Sequence, residues 1–308
     1  MSVGIFACWY LVYLFQEKSS QFDLKDILNG VSQSPAYFLF AIFLMPVNWF
    51  IETHKWRRLV VKLSPISITQ SIWTILFGIS LSLLTPNRMG ELGGRLLHIS
   101  KGNKLKVLYA NTICSVSQLL ITLLAAVFIF PFFTFVELEI RFEFKVLFSL
   151  LISILLLYIY FSSSLIKKIF SKLNDRFQFS ALENLIRFSA ITRLETLLLS
   201  ALRYLVFLIQ FSFLFMLFDS SIPFYDSLLA SISIFFVATA IPTAWISDLP
   251  VRTSVAFIVL EYMGYSGLAG LISSVILWCI NLLIPALVGL VGFKKVNWMS
   301  LQNLYRFD

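Results

Sequence analysis

The sequence predicts an all-α integral membrane protein with about six spanning helices, two re-entrant hairpins in an inverted repeat, and an interfacial amphipathic helix. Its 308 residues are 59% hydrophobic and 13% charged, with a mean hydropathy of +0.88. A soluble domain is about 45–50% apolar and about 25% charged, so a soluble globular protein is excluded. Long apolar segments and a sorting of loop charges by sign supply the remaining detail. We expect a single transmembrane domain over residues 1–308.

Eight apolar segments set the order of the elements, and a helical crossing needs about 20 residues. Two of them, 66–86 and 227–242, end at Pro86 or Pro242 and continue directly into charged residues. We therefore interpret these two as arms of broken helices and the others, including a short first segment, as crossings. The segments are 3–15, 35–51, 66–86, 105–131, 146–161, 197–218, 227–242 and 268–292.

The loops between these segments differ in charge. Three basic loops and the C-terminal tail hold 16 Lys and Arg against five acids, a net charge of +11, with Glu52 and Lys55 counted in the first loop. The other loops hold nine acids against four basic residues, a net charge of −5. Lys and Arg concentrate in cytoplasmic loops, so we expect the basic loops and both termini on the cytoplasmic side. The basic loops are 52–65, 101–106 and 162–195.

This assignment requires two segments to enter and leave the membrane on the same side. The stretch 66–100 lies between two basic loops, and 227–265 lies between two acidic ones. We expect both to be re-entrant hairpins that open to opposite sides. Each is followed by a long crossing, which gives two repeats, 66–131 and 227–292. The stretch 162–195 is too polar to span and mixes apolar residues with Lys and Arg, which is typical of an interfacial amphipathic helix.

The two hairpin tips share a short pattern, a proline followed by an acid-Leu-x-x-Arg block. The blocks are Glu91–Arg95 and Asp248–Arg252. An acid four residues before an arginine is the favourable order for a helical ion pair, although Pro250 can distort the second pair. Inverted repeats with broken helices are a transporter architecture.

The first tip also has a predicted local geometry. Thr85 can cap a helix that begins at Pro86. From there, Arg88, Glu91, Arg95 and His98 are spaced so that they share one face of the helix.

Six charged residues remain inside the predicted membrane region, where each costs ~2.5–3.5 kcal/mol on insertion scales unless it faces protein or water. Arginine binds phosphate bidentately and stays charged when desolvated, so we expect a pocket for an anionic lipid headgroup. The alternative is that the ion pairs only tie the hairpins to the bundle. The six residues are Arg88, Glu91, Arg95, Arg203, Asp248 and Arg252, and the further lining candidates are Asn87, Gln118, Gln210 and Thr243.

A polar stripe runs along the segment 105–131. Asn111, Ser115, Gln118 and Thr122 step by four, three and four residues on one helix face. The stripe can line the pocket or can join helices by hydrogen bonds, and the sequence leaves both open. Asn281 is a lone polar residue in the last crossing, for which helix joining is favoured.

Metal and catalytic motifs are not apparent. Cys8, Cys114 and Cys279 lie in separate apolar stretches, and His54 and His98 lack metal-ligand spacing. The sequence contains no HExxH motif and no nucleophile elbow. We therefore expect no catalytic residues, no metal and no cofactor.

Several runs of residues carry a family resemblance, and they are Asn48–Glu52, Lys55–Arg57, Thr85–Glu91 with Arg95, Ser200–Tyr204 with Gln210, and Ile241–Thr243 with Arg252. Together they resemble the flippase-like family named for the transmembrane region of lysylphosphatidylglycerol synthase. The similarity extends over roughly residues 35–292 and implies a bacterial inner-membrane protein that moves a lipid between leaflets. The chain ends at Asp308 without the aminoacyl-transferase domain of the namesake enzymes, so we do not expect synthase activity.

The sequence thus favours a lipid translocase whose partner is a membrane lipid with a phosphate or anionic headgroup, and not a nucleic acid. Two alternatives stay open. One is an integral-membrane enzyme that acts on a lipid or polyprenyl phosphate, with Glu91, Asp248 or His98 in acid–base roles. The other is a non-catalytic partner of a lipid-modifying enzyme. A homo-oligomer is compatible with all three.

Overall fold

Helices and the short connections between them make up the part of the chain that the computed structural model describes, residues 30–83, 85, 89–96, 99, 104–132, 141–162, 188–241 and 245–292. The predicted crossing 3–15 and most of the predicted interfacial segment lie outside these residues. The helices are α1 (Pro35–Val60), α2 (Ile68–Ser82), α3 (Met89–Leu96), α4 (Lys104–Ile129), α5 (Phe142–Phe161), α6 (Ala190–Phe218), α7 (Phe224–Ala240), α8 (Trp245–Tyr262), α9 (Gly267–Trp278) and α10 (Ile284–Gly292).

Five stretches of the described residues are long and apolar enough to cross a membrane. They fall on α1, α4, α5, α6 and the continuous pair α9 and α10, which a π-helical turn at Cys279–Leu283 joins. Apolar side chains on α5 are widely exposed, as a lipid-facing helix requires. The predicted class, an all-α integral membrane protein, is confirmed.

Side-chain caps fix where several helices begin. Ser67 and Gln70 form a capping box at α2, in which each side chain accepts a hydrogen bond from the other residue's backbone N–H. Ser189 Oγ accepts from the N–H of Thr192 at the start of α6, and Ser266 Oγ accepts from the N–H of Ala269 at the start of α9. Such caps satisfy amides that the first turn leaves without a helical partner.

Helices α2 and α3 pack as a tight antiparallel hairpin. A Cβ atom on Gly94 would lie 2.5 Å from Gly78 Cα, and one on Gly90 would lie 2.2 Å from the carbonyl oxygen of Leu81. Backbones can approach this closely only where side chains are missing. The 15 residues of α2 extend about 22 Å at 1.5 Å per residue, which is shorter than the ~30 Å hydrocarbon core.

Helices α7 and α8 form a second hairpin, in which the start of α7 lies close to the end of α8. The hydroxyl of Tyr265 donates to Asp226 Oδ2 at 2.5 Å, and the N–H of Ser266 donates to Asp219 Oδ2 at 3.1 Å. Asp219, before α7, and Asp226, in the first turn of α7, therefore contact residues that follow α8. Gly264, with φ of 82°, makes the turn between α8 and α9 in a conformation that favours glycine.

The bases of the two hairpins lie at opposite ends of α1. Val60, at the C-terminal end of α1, packs in one apolar cluster with Ile66 and Ile99, which flank the first hairpin. Val31, just before α1, packs in another cluster with residues that flank the second hairpin, among them Ile222 and Tyr265.

Two helices extend beyond their predicted segments. The crossing predicted at 35–51 continues to Val60, so Glu52 and Lys55 are helical and buried and do not belong to a basic loop. Helix α6 begins at Ala190 and not at 197, and thus includes the end of the stretch 162–195. In both cases polar side chains find buried partners: the guanidinium of Arg193, for example, donates to the carbonyl oxygen of Tyr160 at 3.2 Å.

Candidate functional site

The carboxylate of Glu52 joins three cations from three helices. It is 3% exposed on the protein-facing side of α1. Its Oε2 accepts hydrogen bonds from Lys55 Nζ at 2.8 Å and from Arg203 Nη1 at 2.9 Å. Its Oε1 accepts from Arg95 Nη2 at 3.0 Å. We call these four residues the carboxylate node, which links the first hairpin to α1 and α6.

Each hairpin carries an acid–arginine pair in its second helix, with the acid in the first turn and the arginine four residues later. In α3, Arg95 Nη2 donates to Glu91 Oε1. In α8, Arg252 Nε donates to Asp248 Oδ1 at 3.0 Å, and Pro250 between them does not break the pair. Acids in the first turns also interact favourably with the positive end of the helix dipole. The pairing predicted for the two tips is therefore present in both.

Arg203 is held from several directions. Its Nε donates to Asn48 Oδ1 at 2.8 Å, and its Nη1 donates to Glu52. Its guanidinium carbon lies 5.3 Å from the ring centroid of Trp49 and 5.2 Å from that of Phe207. A guanidinium can donate along its edge while its faces contact aromatic rings. The position of this cation is thus fixed by both kinds of contact.

A cavity of about 410 Å³, which we call the polar chamber, opens beside the carboxylate node. Five charged residues line it, three cations and two acids, which gives a net charge of +1. They are Glu52, Lys55, Glu91, Arg95 and Arg203, and the other lining residues are Leu92, Cys114, Ser115, Gln118, Leu119, Thr122 and Thr239.

A second cavity of about 240 Å³, the aromatic chamber, lies against the second hairpin. Its charged lining residues are Arg203, Asp248 and Arg252, and Trp49, Tyr204 and four further aromatic residues also line it. The two chambers share Gln118, Thr122, Arg203 and Thr239. Arg203 therefore lines both cavities. Arg95 also lines the polar chamber, and Arg252 also lines the aromatic chamber.

Most predicted site residues that the structure describes meet at these chambers. Arg88, Asn87 and Thr243 lie outside the described residues. Gln210 differs from the prediction, because it lines neither chamber. Its Nε2 donates to the carbonyl oxygen of Ala41 at 2.6 Å, and its Oε1 accepts from Asn281 Nδ2 at 2.7 Å. Since both ends of the amide are paired, Gln210 ties helices together.

The polar stripe of α4 divides between the two roles left open by the sequence. Asn111 Oδ1 accepts from Trp56 Nε1 at 2.6 Å and so joins α4 to α1. Ser115, Gln118 and Thr122 line the polar chamber. Asn281 takes both roles, because it lines the aromatic chamber and also donates to Gln210.

Glu52, Lys55 and Asn48 are site residues that sequence reasoning missed. Their spacing, at positions 48, 52 and 55, places them on one helix face, which is the signal that was available. This spacing was not used, because Glu52 and Lys55 were assigned to the first basic loop. Glu52 and Lys55 cancel, so moving them into the membrane region changes neither the +11 of the basic loops nor the +2 of the interior.

Comparison with known proteins agrees with this architecture. The sequence profile of one family, described as the lysylphosphatidylglycerol synthase TM region, matches residues 1–289. No curated protein and no solved structure matches the chain. The family match spans every described helix that lines the two chambers, and the helices are those of a multi-pass membrane protein. The chain therefore belongs to the family of the lysylphosphatidylglycerol synthase transmembrane region, a membrane family connected with lipids.

Proposed function

We propose that this protein is a lipid translocase, and not an enzyme, that moves an anionic or phosphate-bearing lipid between the membrane leaflets. The headgroup passes through the two chambers while the acyl chains stay in the bilayer. One observation carries the proposal: Arg95 of the first hairpin and Arg252 of the second line adjoining chambers that share Arg203.

The arrangement of the hairpins supports a lipid path that can be reached from either side of the membrane. Their bases lie at opposite ends of α1, while their acid–arginine pairs lie at chambers with a common wall. Alternating access in inverted-repeat transporters works by moving one repeat against the other around a central site. A headgroup held by Arg203 and one hairpin arginine can then pass to the other hairpin without leaving the polar lining.

The charges of the lining suit a singly charged phosphodiester. Across both chambers, four cations face three acids, a net charge of +1. The acids hold the cations in place and keep the empty chambers from containing four unpaired charges. Bound phosphate can replace an acid as an arginine partner, because guanidinium groups bind carboxylate and phosphate with similar geometry.

An apolar cavity nearby suits the acyl chains. Its volume is about 460 Å³, and its lining is almost wholly hydrophobic. The lining residues come from α4 and the turn that follows it, and from α5, α7 and α8. Phe236 and Val237 of α7 line it, while Ile234 and Phe235 of the same helix line the aromatic chamber. The polar and apolar binding surfaces thus lie on different faces of one helix, as an amphipathic lipid requires.

We further propose that the protein resides in a bacterial inner membrane with its basic loops and both termini in the cytoplasm. A homo-oligomer or a lipid-modifying enzyme partner is compatible with this placement.

Transport by purified protein tests the function. Vesicles that contain the protein and a trace of phosphatidylglycerol with a fluorescent headgroup are treated with dithionite, which bleaches only the outer leaflet. In vesicles with the wild-type protein, we expect dithionite to bleach more than half of the fluorescence, because transport brings label from the inner leaflet to the outer one. Arg252→Ala removes one charged hydrogen-bonding group, worth about 1.5–3 kcal/mol, and should slow transport roughly 10- to 100-fold.

Arg58→Ala is the matched control, because it removes an arginine that pairs with a carboxylate at the exposed surface. Arg58 Nε lies 3.0 Å from Glu195 Oε2, and its side chain is 52% exposed. This variant should transport at the wild-type rate. Normal transport by both Arg252→Ala and Arg95→Ala, with both proteins folded, would show that the arginines do not act on the lipid.

A further inference from the structure

The last crossing is divided by the π-helical turn Cys279–Leu283, which lies near its middle. The N–H of Ile284 donates to the carbonyl oxygen of Cys279, five residues earlier, whereas an α-helical hydrogen bond spans four. Pro285 follows directly and has no N–H, so the carbonyl oxygen of Asn281 lacks its α-helical donor. Prolines and π-helical turns are the usual places at which a helix bends.

The two halves of this crossing pack on different hairpins. A Cβ atom on Gly270 of α9 would lie 2.5 Å from the carbonyl oxygen of Ala256 in α8, so the backbones of these two helices are in direct contact. In α10, the carbonyl oxygen of Ala286 accepts a hydrogen bond from Ser80 Oγ of α2 at 2.6 Å. The half before the π-helical turn is thus attached to the second hairpin, and the half after it to the first.

The π-helical turn itself is tied to the bundle and lines the aromatic chamber. Asn281 Nδ2 donates to Gln210 Oε1 at 2.7 Å, and Gln210 Nε2 donates in turn to the carbonyl oxygen of Ala41. Asn281 and Leu282 are both lining residues of the chamber. The turn is therefore held by α6 and α1, while each of its two arms contacts one hairpin.

We infer that the π-helical turn Cys279–Leu283 is a hinge at which α10, with the first hairpin, bends relative to α9 and the second hairpin. This inference rests on the proposed function, because alternating access requires one repeat to move against the other. It adds the element that absorbs the movement, and a few residues at the end of an element are typical of hinges. Bending here also displaces a wall of the aromatic chamber.

Deletion of Leu283 tests the hinge, because it brings Ile284 and Cys279 to the four-residue spacing of an α-helix. A π-helical turn holds one residue more than an α-helical turn, so the packed faces of α9 and α10 should keep their partners. The side chain removed is 36% exposed. We expect the Tm to stay the same or rise, and transport to slow at least about tenfold because bending must now break an α-helical bond.

Deletion of Leu287 is the matched control, since it removes an exposed leucine from the regular part of α10. No extra residue is available there, so the residues that follow should rotate by about 100°. Gly289, where a Cβ atom would overlap the carbonyl oxygen of Leu76, then leaves the face that packs on α2. We expect a clearly lower Tm. An equal loss of Tm in the two deletions would show that the π-helical turn is a fixed part of the packing and would overturn the inference.

Distances between spin labels measure the bending without transport. After Cys8, Cys114 and Cys279 are replaced by serine, Leu198→Cys on α6 and Val291→Cys at the end of α10 carry the labels at widely exposed positions. The nine residues of α10 form an arm of about 13 Å, so a bend of about 20° moves its end by roughly 5 Å. In lipid nanodiscs, we expect double electron–electron resonance to show two distances with the complete turn and one distance after deletion of Leu283.

Pro285→Ala is a milder variant that keeps the length of the chain. The new N–H can donate to the carbonyl oxygen of Asn281, which favours a continuous α-helix. One backbone hydrogen bond should shift the ratio of the two distances about two- to tenfold. The Tm should stay the same or rise, because proline is unfavourable within a helix.

A single distance that neither Pro285→Ala nor the deletion of Leu283 changes would overturn the inference. Transport at the wild-type rate after that deletion would also overturn it. Two distances in a wild-type protein that does not transport would contradict the proposed function and support the hinge. Transport by a protein with a single distance would contradict the hinge and leave the proposed function in place.

Discussion

A single carboxylate at Glu52 explains how three cations are tolerated inside the bundle. Lys55 and Arg95 have side chains that are 1% and 6% exposed, and that of Arg203 is 14% exposed. Burying a charge is costly unless it is paired and hydrogen-bonded, and Glu52 provides a partner for each of the three. The node therefore links the helices of this region and supplies four of the five charged residues that line the polar chamber.

Glu52→Gln should destabilise the protein strongly. The amide keeps the shape of the side chain but leaves three buried cations without their common anion. Removing one partner of a buried ion pair typically costs about 3–5 kcal/mol of unfolding free energy. We expect a clearly lower Tm in detergent, measured by intrinsic tryptophan fluorescence.

Glu195→Gln is the comparison for this variant, because Glu195 pairs with Arg58 at the surface. Exposed ion pairs contribute about 0–1 kcal/mol, so its Tm should change little. An equal loss of Tm in the two variants would mean that the node is not a special source of stability.

The residues of the node also show where sequence reasoning reached its limit. The acid–arginine pairs of the two hairpins were predictable, because an ion pair four residues apart depends only on a local helix. The link from Glu52 to Arg95 and Arg203 depends on three helices that meet, which spacing along the chain does not reveal. A charge at the edge of an apolar segment is ambiguous until its tertiary partners are known.

At the scale of elements, the close contact between α2 and α3 depends on particular glycines. A Cβ atom on Gly94 would meet the backbone of Gly78 at 2.5 Å, whereas one on Gly93 would meet nothing within 4 Å. These neighbouring residues therefore offer a pair of variants with the same change in helix propensity and opposite steric effects.

Gly94→Ala should force the hairpin apart and destabilise it by about 1–3 kcal/mol, the usual cost of overpacking. Gly93→Ala should be neutral or stabilise α3 by up to ~1 kcal/mol, because alanine favours helix more than glycine does. Thermal unfolding of both variants in the same detergent measures the difference. Equal Tm values would show that the two helices are not in close contact.

Sequence prediction of the elements succeeded where a helix is apolar throughout. The segment 105–131 corresponds to α4, and 146–161 lies within α5. It failed at the end of α1 and the start of α6, because the polar residues there are helical only through buried contacts. Helix propensity and hydropathy describe a segment by itself, so they place its boundary too early where partners from other helices allow polar residues to be buried.

At the scale of the whole molecule, the loop charges predict two hairpins that open to opposite sides of the membrane, and this topology stays a prediction. The basic loops sum to +11 and the acidic loops to −5, which predicts that the basic loops lie on the cytoplasmic side. The structure places the residues that flank each hairpin together and the two hairpin bases at opposite ends of α1. These are separate lines of argument, since hydrogen bonds and apolar packing played no part in the charge assignment.

Single cysteines can test this topology, after Cys8, Cys114 and Cys279 are replaced by serine. Ser64→Cys and Lys104→Cys lie at the base of the first hairpin, and Ser220→Cys and Tyr262→Cys lie at the base of the second. If both hairpins are re-entrant, an impermeant maleimide applied outside cells should label only the second pair, and the first pair should react only after the membrane is opened. Should Ser64→Cys and Lys104→Cys react from different sides, the stretch 66–100 must cross the membrane completely. The path through the two chambers would then need a different set of moving elements, because the hairpin of α2 and α3 could no longer open toward the cytoplasm alone.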